Sequence, residues 1–179
     1  FAFFGAYFLG SLLYFIFSVR FGDPINRIGY KNGLIIGLIL AGVGCFLFYP
    51  AAIVGTYGFF LAALFVIASG LAFLETGANP YVAVMGSAKT SEQRLNLAQA
   101  FNPVGVVIGV VVDTVFIFSG VELTDAEVLA MKSAGEHEGY LQDEVMRVTR
   151  PYMIYGAIVI LWAVLMIKSK FPKIANEDD

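Results

Sequence analysis

The sequence predicts an all-α integral membrane protein with five transmembrane helices, and three observations indicate this class. Hydrophobic residues make up 59% of the 179 residues and charged residues only 14%, whereas soluble domains carry about 25% charged residues. The apolar runs approach or exceed the roughly 17 to 25 residues that a helix needs to cross a bilayer. Apolar residues occupy every side of these runs, unlike the alternating strands of a membrane β-barrel.

Five apolar runs define the predicted spans, at residues 1–19, 33–53, 57–85, 95–119 and 151–168. The segment 120–150 is predicted to be an external loop, and residues 169–179 a polar cytoplasmic tail. The first run begins at the first residue, without a Met or a basic flank, so we expect the chain to be a fragment rather than to carry a signal peptide.

The distribution of basic residues predicts the orientation, because cytoplasmic loops are enriched in Lys and Arg. Eight of the eleven basic residues lie between spans one and two, between spans three and four, or at and after the end of span five. The remaining three share the 120–150 segment with seven acidic residues. We therefore expect an external start and a cytoplasmic end.

The loop after span one is a short, glycine-punctuated basic turn. Its distinctive residues are Gly22, Asn26, Arg27, Gly29 and Lys31. The simplest interpretation is an anchor that holds this loop on the cytoplasmic side.

Span two contains small residues spaced three or four apart, which permit close contact between membrane helices. They are Gly33, Gly37, Ala41 and Gly44. Cys45, the single cysteine, has no partner for an intrachain disulfide and is interpreted as a small packing residue.

Span three carries Glu75, a carboxylate inside a long apolar run. A charge at the centre of a membrane helix costs about 2.5 to 3.5 kcal/mol on insertion scales, so such a residue indicates a functional site. Asn79 lies one turn later on the same face, followed by Pro80. Asn79 either contacts a ligand or satisfies the carbonyl that Pro80 leaves without a donor.

Span four places its strongly polar residues on one stripe. At about 100° per residue, Gln99, Asn102 and Asp113 share a face with the small or apolar positions Val106 and Gly109. A single amide is explained by hydrogen bonding between helices. A Gln, an Asn and an Asp along one stripe favour a polar cavity, which Asp113 would also line.

The predicted external loop is acidic and long enough for a short surface helix, with its acids on a solvated face. It contains the only histidine, His137, between Glu136 and Glu138. A metal site is disfavoured because the local sequence offers only carboxylates as further ligands.

Residues 72–109 resemble the fucose/galactose/glucose:proton symporters of the major facilitator superfamily. The motif Leu-Glu-Thr-x-Ala-Asn-Pro occupies 74–80, and Arg-Leu-Asn-Leu-Ala-Gln-x-Phe-Asn occupies 94–102. The basic loop also matches the superfamily's Gly-x-x-x-Asp-Arg-x-Gly-Arg-Lys motif at Gly22, Arg27, Gly29 and Lys31, but Asn26 stands where the motif has Asp. Tyr30 likewise replaces an Arg, and both departures weaken the usual charge relay of this loop.

The resemblance implies that the chain is a partial N-terminal six-helix bundle, covering helices two to six of a twelve-helix transporter. It implies that Glu75 takes and releases the coupled proton and that Gln99 and Asn102 lie near the sugar. A carboxyl group in an apolar, partly wetted cavity can hold a proton near neutral pH, because desolvation penalises its charged form. Asp113 has no counterpart in the family pattern.

The predicted function is proton symport of a monosaccharide by alternating access, in a bacterial inner membrane. The expected partners are the sugar, the proton, the lipid bilayer, and the missing first helix and C-terminal helical half. No cofactor, metal or nucleic acid is predicted as a partner. Enzymatic activity is not predicted either, since the spans contain no nucleophile–base pair. Two alternatives remain: a five-span interaction or assembly protein held together by the polar stripe, and an uncoupled sugar facilitator.

Overall fold

The computed structural model describes residues 2–116 and 123–171, and every regular element in that part of the chain is helical. Five segments are long and apolar enough to cross a membrane: Phe4–Phe21, Tyr30–Val54, Tyr57–Val84, Ala88–Phe116 and His137–Lys168. The predicted all-α membrane class with five transmembrane helices is therefore confirmed. The helices are α1 (Ala2–Phe21), α2 (Pro24–Ile28), α3 (Tyr30–Phe46), α4 (Phe48–Val54), α5 (Tyr57–Val84), α6 (Ser91–Phe116), α7 (Asp125–Ala134) and α8 (His137–Lys168), with a 3₁₀ turn at Ala88–Thr90.

The second span is divided between α3 and α4 at Leu47. Pro50 explains the division, because it has no N–H for the carbonyl of Phe46, four residues earlier, and its ring crowds that carbonyl. The path of the chain nevertheless continues, since the N–H of Leu47 donates to the Val43 carbonyl at 3.0 Å. One membrane crossing is thus built from two nearly continuous helices.

Helix α3 lies at the centre of the bundle and packs against α5 and α8. Glycines set the distance to α5: a Cβ added to Gly70 would lie 2.5 Å from the backbone nitrogen of Ala41, and one added to Gly44 would lie 2.6 Å from that of Ile67. The same holds towards α8, where a Cβ on Gly42 would lie 2.6 Å from Ile160 Cδ1. The small residues predicted to allow close packing in span two are therefore buried at helix contacts.

Aromatic side chains join the helices at both ends of the bundle. At one end, Tyr152, midway along α8, stacks on Phe48 with ring centroids 3.8 Å apart. At the opposite end, Phe171 stacks on Tyr81 at 5.1 Å, and Tyr81 in turn contacts Tyr30 at 5.7 Å. Each group brings together segments that are distant in sequence and fixes their relative positions along the bundle axis.

The predicted external loop 120–150 is mostly helical within its described part, 123–150. It contains α7, closed at its N-terminus by a Thr124–Glu127 capping box, and the first turns of α8, which begins at His137 rather than at the predicted 151. Hydrophobicity did not reveal this extension because its residues are polar. An ion pair between Glu144 and Arg147, 2.8 Å apart at i,i+3 spacing, supports the helix there, and α8 passes through Pro151 without ending.

Candidate functional site

A groove of about 370 Å³ lies between α5 and α6 and contains four of the predicted site residues. Glu75 and Asn79 enter it from α5, and Gln99 and Asn102 from α6. Leu74, Ala78, Val82 and Ala98 complete the lining. The volume falls in the range of about 300 to 1,000 Å³ typical of small-molecule sites, so the two predicted polar helix faces meet at a space of suitable size.

The chemistry of the groove combines one carboxylate with three amides. Glu75, Gln99 and Asn102 are exposed within it, and Asn79 is half-buried. Each amide both donates and accepts hydrogen bonds, whereas an ionised carboxylate only accepts. This set suits a ligand with several hydroxyl groups, each of which also donates and accepts.

Tyr7 of α1 donates a hydrogen bond to Oε2 of Glu75, a contact that the sequence did not predict. Phenol groups within apolar helices usually find a polar partner, so the Tyr7 hydroxyl gave a signal that such a partner exists. It gave no indication of which helix supplies it. The structure thus connects the carboxylate of the groove to a third helix.

Asp113 lies on α6 outside this groove. It is half-buried, on a helix that also packs against α8. A shared face of α6 did not bring Asp113 to the amides, because the separation of 11 positions between Asn102 and Asp113 corresponds to about 16 Å along a helix. Asp113 is thus not part of the lining of this groove, and its predicted place in a polar cavity stays a prediction.

The basic loop folds around two glycines and an aspartate. Gly22 and Gly29 have φ values of 85° and 81°, which residues with a side chain rarely adopt. Asp23 caps α2 by accepting the Ile25 N–H at 2.9 Å, and it also accepts the Tyr14 hydroxyl. Asp23 thus acts as a local cap, while the side chain of Asn26 lies outside the described part of the structure.

Lys31 of the same loop caps the end of the last span. Its ammonium donates to the carbonyls of Ile167 and Ser169 at 2.9 and 2.8 Å, and it lies 6.0 Å from the ring centroid of Phe171. A cation is favourable at a helix C-terminus, where carbonyls are left without intrahelical donors. Arg27, in the last turn of α2, is exposed.

Arg94 forms a similar cap at the end of α5, a contact that the sequence did not predict. Its guanidinium donates to the carbonyls of Val82 and Ala83 at 3.1 and 2.6 Å, and to that of Ser87 at 3.0 Å. Arg94 belongs to α6, so it ties the two helices of the groove together at one end. A basic residue shortly after a helix end was the available signal.

Neither metal ligands nor a second carboxylate accompany Glu75 in the groove lining. Across residues 2–116 and 123–171, no group of three His, Cys, Asp or Glu side chains is placed to hold a metal ion. The groups that the groove offers to a ligand are three amides and one carboxyl group.

Comparison with known proteins identifies relatives along almost the whole chain. No family model matches it. It is 42% identical to the L-fucose-proton symporter of Escherichia coli over 165 residues, covering 92% of this chain and 38% of that protein. It is 38% identical over 178 residues to a glucose/galactose transporter of Brucella abortus, covering 99% of this chain and 38% of that protein.

A solved structure has the same helical arrangement. The crystal structure of a major facilitator superfamily transporter in the outward conformation superposes with a TM-score of 0.80 at 40% identity, covering 99% of this chain and 43% of that chain. The chain thus spans about two fifths of the length of the proteins it matches.

Proposed function

This chain belongs to the fucose/galactose/glucose:proton symporter family of the major facilitator superfamily, and from that premise we propose that it forms part of a transporter moving a monosaccharide together with a proton. In this proposal it contributes part of the N-terminal helical domain. The remaining helices of the same transporter and the lipid bilayer are its partners. The protein binds and moves its substrate without changing it, and is not an enzyme.

The observation that carries the proposal is the meeting of Glu75 with three amides in one groove. Gln99, Asn102 and Asn79 bind sugar hydroxyls, since amides match hydroxyl groups in donating and accepting. Glu75 carries the proton, because desolvation in a closed site favours the neutral acid and hydration in an open site favours the charged form. Asp113 is left without an assigned role.

Transport requires the groove to face each side of the membrane in turn, which major facilitator transporters achieve by rocking one helical bundle against the other. The first loop, with Gly22, Arg27, Gly29 and Lys31, belongs to the cytoplasmic side in this proposal, and the chain start lies outside. Basic loops mark the cytoplasmic face, and a bacterial inner membrane is the proposed location.

The decisive experiment is Glu75→Gln in the complete transporter, because the amide keeps the shape of the side chain but cannot carry a proton. We expect gradient-driven accumulation of labelled fucose, galactose or glucose to fall to background, while exchange of sugar across the membrane continues. Both are measured in proteoliposomes with and without an imposed proton gradient.

Glu92→Gln is the matched control, since Glu92 lies in the exposed first turn of α6 and outside the groove; it should transport normally. Normal accumulation by Glu75→Gln would contradict the proton role. Absence of any effect of a proton gradient on the unsubstituted protein would instead indicate a facilitator.

A further inference from the structure

We propose that Tyr7 is a positioning residue for the proton-carrying carboxyl group: its hydroxyl holds Glu75 against α1 and stabilises the charged form of that group. This inference rests on the proposed function, because it assigns Glu75 as the proton carrier. It adds a residue of α1, outside the groove lining, to the coupling machinery.

The packing of α1 on α5 makes this contact possible. Gly10 lies one turn after Tyr7, and Ala72 lies one turn before Glu75. A Cβ on Gly10 would be 3.6 Å from the Cβ of Ala72, an ordinary van der Waals contact, so small residues hold the two helices close at this level. From that distance the long Tyr7 side chain reaches across to Oε2 of Glu75.

The chemistry of the pair makes it sensitive to protonation. A phenol hydroxyl donates to an ionised carboxylate, and it can also accept from a neutral carboxylic acid. The bond to the ionised form is the stronger of the two, because hydrogen bonds to charged groups are about twice as strong as neutral ones. Tyr7 therefore stabilises the empty, charged state of the carrier and holds its side chain on the α1 side of the groove.

The test is Tyr7→Phe in the complete transporter, which keeps the aromatic ring and its packing but removes the hydroxyl. Loss of a donor to the carboxylate disfavours the charged form, so the pH of half-maximal sugar uptake should rise by about one unit. Uptake is measured from about pH 5 to pH 9 at a fixed proton gradient. An unchanged pH profile would overturn the inference.

Tyr14→Phe is the matched control, because Tyr14 is a second tyrosine of α1 whose hydroxyl donates to a different carboxylate, that of Asp23. Its pH profile should match that of the unsubstituted protein. An equal shift in both variants would mean that any disturbance of α1 moves the profile, and would contradict a specific role for Tyr7.

A double-variant comparison separates this inference from the proposed function. In the Glu75→Gln background, Tyr7→Phe should leave the sugar exchange rate nearly unchanged, because the group through which Tyr7 acts is gone. If Glu75→Gln abolishes accumulation but Tyr7→Phe alters exchange equally in both backgrounds, only the role of Tyr7 fails. If Glu75→Gln accumulates sugar normally, the proposed proton role itself fails.

A measurement without any change at Tyr7 covers the case in which Tyr7→Phe does not reach the membrane. Infrared difference spectra of the purified transporter between acidic and alkaline pH should contain a tyrosine ring band that changes together with the carboxyl band. Both bands should lose intensity in Glu75→Gln but not disappear, because the Tyr14–Asp23 pair and the other carboxyl groups still contribute. An unchanged tyrosine band in Glu75→Gln would overturn the inference.

Discussion

Helix α5 borders α3 on one side and α6 on the other, and the two borders are built in opposite ways. Towards α3 the backbones are so close that a Cβ on Gly70 would lie 2.5 Å from the Ala41 nitrogen. Towards α6 there is a groove of about 370 Å³ lined by polar side chains. A Cβ on the α6 glycines Gly105 or Gly109 would meet no described atom within 4 Å.

The difference separates two tasks within one helix. The α3 border is closed by backbone contacts at its glycines, so it acts as a rigid joint. The α6 border holds three amides and a carboxylate, and therefore has the composition of a ligand site. Glycine spacing alone does not distinguish these borders, since small residues occur at regular spacing in both α3 and α6.

The largest expected effect on stability is at the border between α5 and α3. Gly70→Val places methyl groups where the α3 backbone already lies, and neither backbone can move aside without separating the helices. We expect a loss of more than about 3 kcal/mol, beyond the usual cost of overpacking, seen as little folded transporter after detergent extraction and size-exclusion chromatography.

Gly58→Ala provides the matched control in the same helix, since a Cβ at Gly58 meets nothing within 4 Å. It should be extracted in normal amounts. If Gly105→Ala proves as damaging as Gly70→Val in the complete transporter, α6 also has a tightly packed border and the comparison breaks down.

A smaller effect on stability is expected at Arg94, which holds α5 and α6 together at one end of the groove. Arg94→Gln removes the charged donors to the Val82 and Ala83 carbonyls. Because hydrogen bonds from charged groups contribute about 1.5 to 3 kcal/mol, and this one is partly exposed, we expect a loss of about 1 to 2 kcal/mol in thermal-unfolding measurements.

Arg147→Gln is the control for a lost arginine charge, because the i,i+3 ion pair of Arg147 with Glu144 lies within a single helix, α8. Such pairs contribute about 0.3 to 0.5 kcal/mol. An equal loss of stability in both variants would show that Arg94 does not join the two helices.

Two substitutions, Asn102→Ala and Gln99→Ala, test whether the groove between α5 and α6 binds sugar. Each removes one amide from the groove, so each should raise the sugar KM about tenfold, the equivalent of about 1.4 kcal/mol, with little change in stability. Thr114→Val is the control, because the Thr114 hydroxyl donates within α6, to the Val110 carbonyl at 2.7 Å. Loss of stability without a change in KM would assign the amides to helix packing.

The smallest effect is expected away from both borders, at the capping box of α7. The Thr124 N–H donates to Glu127 at 2.7 Å, and this bond, with that from the Thr124 hydroxyl, lowers the pKa of Glu127. A lowered pKa means that the carboxylate stabilises α7 above its ordinary pKa of 4.5 and loses this effect as the pH falls through the lower folded value.

Hydrogen exchange of the α7 amides, corrected for intrinsic rates, should therefore accelerate in Glu127→Ala at neutral pH and converge with the unsubstituted protein in acid. Glu136→Ala removes a carboxylate from a helix N-cap that makes no side-chain capping bond, and should change little. A transport defect in Glu127→Ala would show that α7 is coupled to the groove.

Sequence periodicity predicted the polar residues of the groove better than it predicted the contacts that neighbouring helices make with them. The i,i+4 spacing of Glu75 and Asn79, and the i,i+3 spacing of Gln99 and Asn102, place each pair on one face whatever the tertiary packing. Tyr7, by contrast, becomes informative only once α1 and α5 are placed side by side. The same holds for Arg94, whose acceptors belong to another helix.

Hydrophobicity located the five spans but misjudged the segment before the last one. It registers apolar residues, and the first turns of α8 are polar, so a helix beginning at His137 was predicted as loop. Asp113 lies outside the groove lining for a different reason. Helical phase identifies a shared face, but it does not express distance along the axis, which separates Asp113 from the amides.

The Lys31 cap has a consequence for the order in which the bundle assembles. Lys31 and its acceptor Ile167 are separated by 136 residues, so at about 5 to 20 residues per second the acceptor emerges roughly 7 to 27 s after the lysine during synthesis. Until then the ammonium must remain hydrated at the membrane surface. Arrival of the last helix lets this charge bind, which makes closure of the five-helix unit a late step that depends on its C-terminal end.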